Sequence, residues 1–172
     1  MDASVKSLTR SALAAAAGVV ILYIGSLLPT MRLSILCAAT LGVVFVRMSC
    51  SVGWALGCYA VTAAAGLLLL PEKILAVVYA VFMGYYPVVK LWAERRANPI
   101  IRWGIKLAVF NAAAFLLFYA FSAAFFDFTN SFLLKPWFSV LLGNGVFVVY
   151  DYALGVLILY YMRNIARRID HG

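Results

Sequence analysis

The sequence predicts an all-α fold: a polytopic membrane protein built as a six-transmembrane-helix bundle, with both termini cytoplasmic. Three observations predict it. The 172 residues are 66% hydrophobic and only 12% charged, against about 45–50% and about 25% for a soluble domain. The apolar residues fall into long uncharged runs separated by short charged breaks. Lys and Arg collect at every second break, the asymmetry that orients helices in a bilayer. The length suits a single membrane domain over 1–172, without a separate soluble module.

A spanning helix needs about 20 mostly apolar residues. The first span, 11–28, stops at Pro29. Lys6 and Arg10 ahead of it resemble the start of a signal peptide, but no A-x-A cleavage site closes the apolar run and further spans come after it, so a retained helix is expected. The second, 33–47, is short. Its 14 uncharged residues between Arg32 and Arg47 make about 21 Å of helix. Such a helix crosses if the arginines snorkel or the bilayer thins; the alternative is a partly re-entrant segment. The third span, 49–70, stops at Pro71. The fourth, 74–92, contains Gly84-Tyr85-Tyr86-Pro87. Pro87 deprives the Met83 carbonyl of its amide donor, so a kink is expected there. The fifth and sixth spans are 103–126 and 137–162. The sizeable loops are Ala93–Arg102 and Asp127–Pro136.

Six spans put Lys6, Arg10, Arg47, Lys90, Arg95, Arg96, Arg102, Lys106, Arg163, Arg167 and Arg168 on one side, and Arg32, Lys73 and Lys135 on the other. Eleven against three assigns the first side to the cytoplasm. Dropping the short second helix would scramble the sorting. Trp92, Trp103, Tyr160 and Tyr161 then lie at the inner interface and Trp137 at the outer one. The net charge of +8 is thereby explained by orientation and anionic lipid head groups, not by nucleic acid. Cys37, Cys50 and Cys58 have no CxxC spacing or nearby His and read as small core residues.

Catalysis needs convergent nucleophiles, acids, bases or metal ligands. His171, the one histidine, lies next to the last residue, and no HExxH, GxSxG or phosphate-binding loop is present. No enzyme activity, cofactor or metal is expected. The sharpest polar signal is Asp151, near the middle of the sixth span. A carboxylate at that depth costs about 2.5 kcal/mol or more, so it faces a cavity or a partner. Trp137, Asn144 and Asp151 recur at seven-residue steps and share one helix face with Phe147 and Gly155. That face suits a binding wall; the alternative is that Asp151 pairs inside the bundle or is protonated. Asn111 in the fifth span lines the same pocket or serves as interhelical glue. Tyr85 and Tyr86, beside the expected kink, either border a cavity or pack at the interface. Lys90 and Glu94, one turn apart, are expected to pair. The alanine-rich first span and the Gly53-x-x-x-Gly57 pair with Ala60 and Ala64 either pack within the bundle or form a docking surface.

These features together resemble the substrate-binding S components of energy-coupling factor (ECF) transporters. The chain length, the six helices and the A-x-x-x-A pair Ala12 and Ala16 match the family's outline and its docking motif. The Pro29–Arg32 turn stands where the family has a gating loop. The stretches Phe82–Lys90 and Gly145–Tyr152 look like a subgroup of unassigned substrate. The resemblance implies capture of a vitamin-like or other small nutrient from outside a bacterial cell membrane. It also implies partnership with a transmembrane coupling subunit and two ATPase subunits. The implied pocket lies in helices four to six, with Asp151, Asn144, Asn111, Tyr85, Tyr86 and Trp137 near it. No thiamine, riboflavin, folate or biotin signature is recognised. The competing expectation is a ligand-free membrane scaffold similar in shape to the rod-shape protein MreD. A secondary transporter is disfavoured by the lack of an inverted repeat and by a single central acid.

Overall fold

The computed structural model describes residues 3–124 and 136–164. They form helices α1 (Ala3–Leu27), α2 (Arg32–Ser49), α3 (Val52–Leu69), α4 (Lys73–Ala93), α5 (Pro99–Ala124) and α6 (Pro136–Asn164). No strand occurs among the described residues. All six helices are long and apolar enough to cross a membrane. In hydrocarbon every backbone polar group must be satisfied within the chain, and a helix does so locally. Most of the loop expected at 127–136, including Lys135, lies outside the described residues, as do Arg167, Arg168 and His171.

The helix ends follow from local chemistry. Pro29 opens a single 3₁₀ turn, Pro29–Met31, between α1 and α2. At the end of α3, the Leu70 amide donates to the Gly66 carbonyl. Lys73 Nζ then donates to the Leu67 and Leu68 carbonyls at 2.8 and 3.3 Å. A cation there satisfies orphan carbonyls and complements the negative end of the helix dipole. Asn98 Oδ1 accepts from the Ile100 amide at 2.9 Å, capping the start of α5. The short second span is one unbroken helix of 18 residues, about 27 Å long and apolar enough to cross a membrane. Arg32 at its start pairs with Glu72 at 2.8 Å, which ties it to the α3–α4 turn.

Packing divides the chain into two compact units, residues 1–117 and 118–172. In the first, α1 packs most extensively against α2, then α3. The contact is close because the facing residues are small. A Cβ on Gly42 would sit 3.0 Å from the Ala14 carbonyl oxygen, so the α1 and α2 backbones nearly touch. Without a hydrophobic force between helices in lipid, such close van der Waals contact is what holds them. Ser11 Oγ adds a hydrogen bond to the Trp54 carbonyl of α3 at 3.1 Å. The core of Ala15, Val43, Val46, Ala55 and Cys58 is bordered by Trp54, Tyr59 and Val88, so α1 to α4 converge on it. Outward-facing positions are apolar: Leu13 is 67% exposed and Leu68 80%, the pattern of a surface that meets lipid.

The second unit contains the end of α5 and α6. On α6 the buried residues are Phe147, Tyr150, Asp151, Leu154 and Ile158. Their spacing of three and four makes a single stripe, while Val149 and Tyr152 on the other side are exposed.

Gly53 and Gly57 resolve differently from Gly42. Nothing lies within 4 Å of a Cβ on Gly57, and Gly53 meets only its neighbour Ser51. Thermal unfolding in detergent should therefore separate two variants. Gly42→Leu is expected to lose about 1–3 kcal/mol through overpacking against the α1 backbone. Gly57→Leu should stay within about 0.5 kcal/mol of the parent protein.

Candidate functional site

The fourth helix carries the main backbone irregularity. It is α-helical over Lys73–Val78, widens to a π-helical turn over Tyr79–Met83, and is α-helical again from Tyr86 to Ala93. The Gly84 amide donates to the Tyr79 carbonyl at 2.8 Å, the wide i to i−5 bond, and the Val88 amide donates to Tyr85 at 3.0 Å. Pro87 lies in the first turn of the second segment, where its missing amide costs nothing. The distortion expected at Pro87 thus begins two turns earlier. Its cause is visible in the packing. Tyr59 of α3 donates its hydroxyl to the Ala80 carbonyl at 2.7 Å, capturing an acceptor within the π turn. A Cβ on Gly84 would come within 2.8 Å of the Tyr59 and Tyr79 rings, so the rings close over a bare backbone.

Around this turn the aromatic rings are in contact. Tyr59 stands 5.9 Å from Tyr85, edge to face, and 6.3 Å from Tyr79. Phe82 lies 4.9 Å from Tyr86 and 5.4 Å from Phe110. These are the centroid separations of touching rings. Tyr86 is fully buried and Tyr85 half-buried. The Tyr79 hydroxyl is buried beside Thr62 without a hydrogen bond of good geometry.

At the end of α4 the expected Lys90–Glu94 pair is present at 2.9 Å. Lys106 of α5 joins it, donating to the same Glu94 Oε1 at 3.1 Å. Both lysines are buried, 2% and 5% exposed. Removing an ammonium from water is costly unless it is paired, so the shared carboxylate fastens α5 to the end of α4. Burial opposes ionisation of Glu94, but hydrogen bonds and charge from Lys90 and Lys106 outweigh it and hold the carboxyl below its ordinary value. Spacing alone did not bring Lys106 to this site. The available signal was a lysine inside a predicted apolar span, which requires a partner.

The intramembrane polar residues divide. Asp151 is 4% exposed on the buried stripe of α6. Asn144 and Asn111 are not on buried faces in the same way. Asn144 Nδ2 donates to the Val140 carbonyl of its own helix and Asn111 Nδ2 to that of Leu107, each at 2.8 Å. Trp137 lies in the first turn of α6. Tyr85, Tyr86 and Asn111 belong to the first unit and Asn144, Asp151 and Trp137 to the second. Ala12 and Ala16 are exposed on α1, while Ala15 and Gly18 face inward. No group of three or more metal-binding side chains occurs among the described residues.

The fold and these sites define a multi-pass helical membrane protein. No family model, curated protein or solved structure matches the chain.

Glu94 gives a pH prediction. Its folded-state pKa is lowered from 4.5, so its stabilisation is complete above that value. It is lost as pH falls through the lowered folded-state value. Acidification past pH 4.5 should reduce the melting temperature of the parent protein more than that of Glu94→Gln. The variant should already melt lower at neutral pH. Melting curves of the two across an acid series check this.

Proposed function

We propose that this chain is the membrane-embedded substrate-binding subunit of an importer of the ECF type, taking a vitamin-like or other small nutrient from outside a bacterial cell. Both termini lie in the cytoplasm in this reading. The observation that carries it is Asp151, a carboxylate buried to 4% exposure on a helix stripe whose other buried residues are Phe147, Tyr150, Leu154 and Ile158. An ionisable group at bilayer depth is costly and marks function by default. Asp151 already has an interaction within the chain; in this reading the ligand adds to it with a positive charge or a cluster of N–H and O–H groups, the chemistry that best offsets the cost of a buried carboxylate. Exposed Ala12 and Ala16 offer a close-approach surface to a transmembrane coupling subunit. The sequence has no phosphate-binding loop, and energy would come from two partner ATPases.

A scaffold of the MreD kind is the second reading. The touching rings of Tyr59, Tyr79 and Tyr85 favour it, because a tightly filled fourth helix leaves little room for ligand on that side.

The purified protein should gain thermal stability with at least one compound of a cationic and hydrogen-bond-donor nutrient panel. Asp151→Ala should weaken that binding about tenfold or more, from the cost of losing a charge partner. Unchanged affinity in the variant would remove Asp151 from the site. Affinity capture from membranes should bring down a coupling subunit and two ATPases; recovery of cell-shape proteins in their place would favour the scaffold.

A further inference from the structure

One end of the first unit is strongly basic. The start of α1 carries Lys6 and Arg10, the end of α2 Arg47, and the α4–α5 turn Lys90, Arg95, Arg96, Arg102 and Lys106. The Ser11–Trp54 hydrogen bond and the core of Ala15 and Val46, against which Val88 packs, bring these helix ends to one level. Against these cations stands Glu94, whose Oε1 is engaged by Lys90 and Lys106. Among the described residues, Arg95, Arg96 and Arg102 form no ion pair.

Two tryptophans frame the same turn. Trp92 is 49% exposed and Trp103 40%. The Arg96 guanidinium lies 4.9 Å from the Trp92 ring centre, and Lys106 Nζ 5.4 Å from that of Trp103. Beyond the turn, Ile100 is 79% exposed and Ile101 50%. The turn therefore presents, in one short stretch, apolar side chains, indole rings and unpaired guanidiniums. Indole rings settle at the boundary between acyl chains and head groups. Guanidiniums one turn further out reach phosphate oxygens with paired N–H donors.

We propose that the α4–α5 turn is a binding site for an anionic phospholipid. Trp92, Trp103 and Ile100 contact the upper acyl chains, and Arg95, Arg96 and Arg102 hold the head-group phosphate. Free phosphate lacks the apolar half of this contact, so the site takes lipid.

The test uses the intact protein with Trp54→Phe and Trp137→Phe, leaving Trp92 and Trp103 as the fluorophores. It is placed in phosphatidylcholine nanodiscs containing either brominated phosphatidylglycerol or brominated phosphatidylcholine. Phosphatidylglycerol should quench at several-fold lower mole fraction. Arg95→Gln, Arg96→Gln and Arg102→Gln should each reduce that preference, by up to roughly fivefold per arginine on the scale of basic residues at anionic surfaces. The triple variant should quench equally with both lipids. The same triple variant with lysines at the three positions controls for folding and should keep most of the preference. Equal quenching by the two lipids in the arginine protein would overturn the proposal. So would loss of the preference in inorganic phosphate but not in chloride of equal ionic strength.

Discussion

A charged side chain inside hydrocarbon has no water to solvate it, and this single cost dictates where the chain turns. Charges are therefore confined to helix ends or held by partners. Arg32 meets Glu72 at one end of the first unit, and Lys90 and Lys106 meet Glu94 at the other. The Arg32–Glu72 and Lys106–Glu94 pairs each join two elements, so the solution to a solvation problem also fixes which helices are adjacent. The apolar stretches between these ends are then free to pack by shape. They do so most closely where Gly42 lets α1 approach α2.

Much of this was legible in the sequence because it depends on one-dimensional order. Charge sorting marked six helices, including α2, whose short apolar run alone argued against a full span. The Lys90–Glu94 pair followed from helical spacing. What could not be read depends on contacts between distant segments. The π turn of α4 arises where Tyr59, about twenty positions upstream, donates to Ala80. Pro87 pointed to the right helix but to a place too far along it. Lys106 reaches Glu94 only because α5 folds back across the turn. The polar site residues show the same limit. Seven-residue spacing placed Asn144 and Asp151 on one face. Yet Asn144 bonds to its own helix while Asp151 lies on the buried stripe with Phe147 and Leu154. Spacing gives the direction of a side chain; it does not say what that side chain will bond.

The irregular turn of α4 has a consequence for the length of that helix. Its wide i to i−5 turn is followed by a tight i to i−3 bond at Tyr85, so the rotation that the wide turn falls short by is recovered in the tight one. Tyr79 before the irregularity and Tyr86, Lys90 and Ala93 after it consequently all remain buried. The helix keeps its phase although its pitch changes twice. Loss or gain of one residue within 79–85 would rotate everything downstream by about 100°. It would turn Lys90 outward and take the start of the next helix with it. The number of residues in this turn is therefore as constrained as their identity.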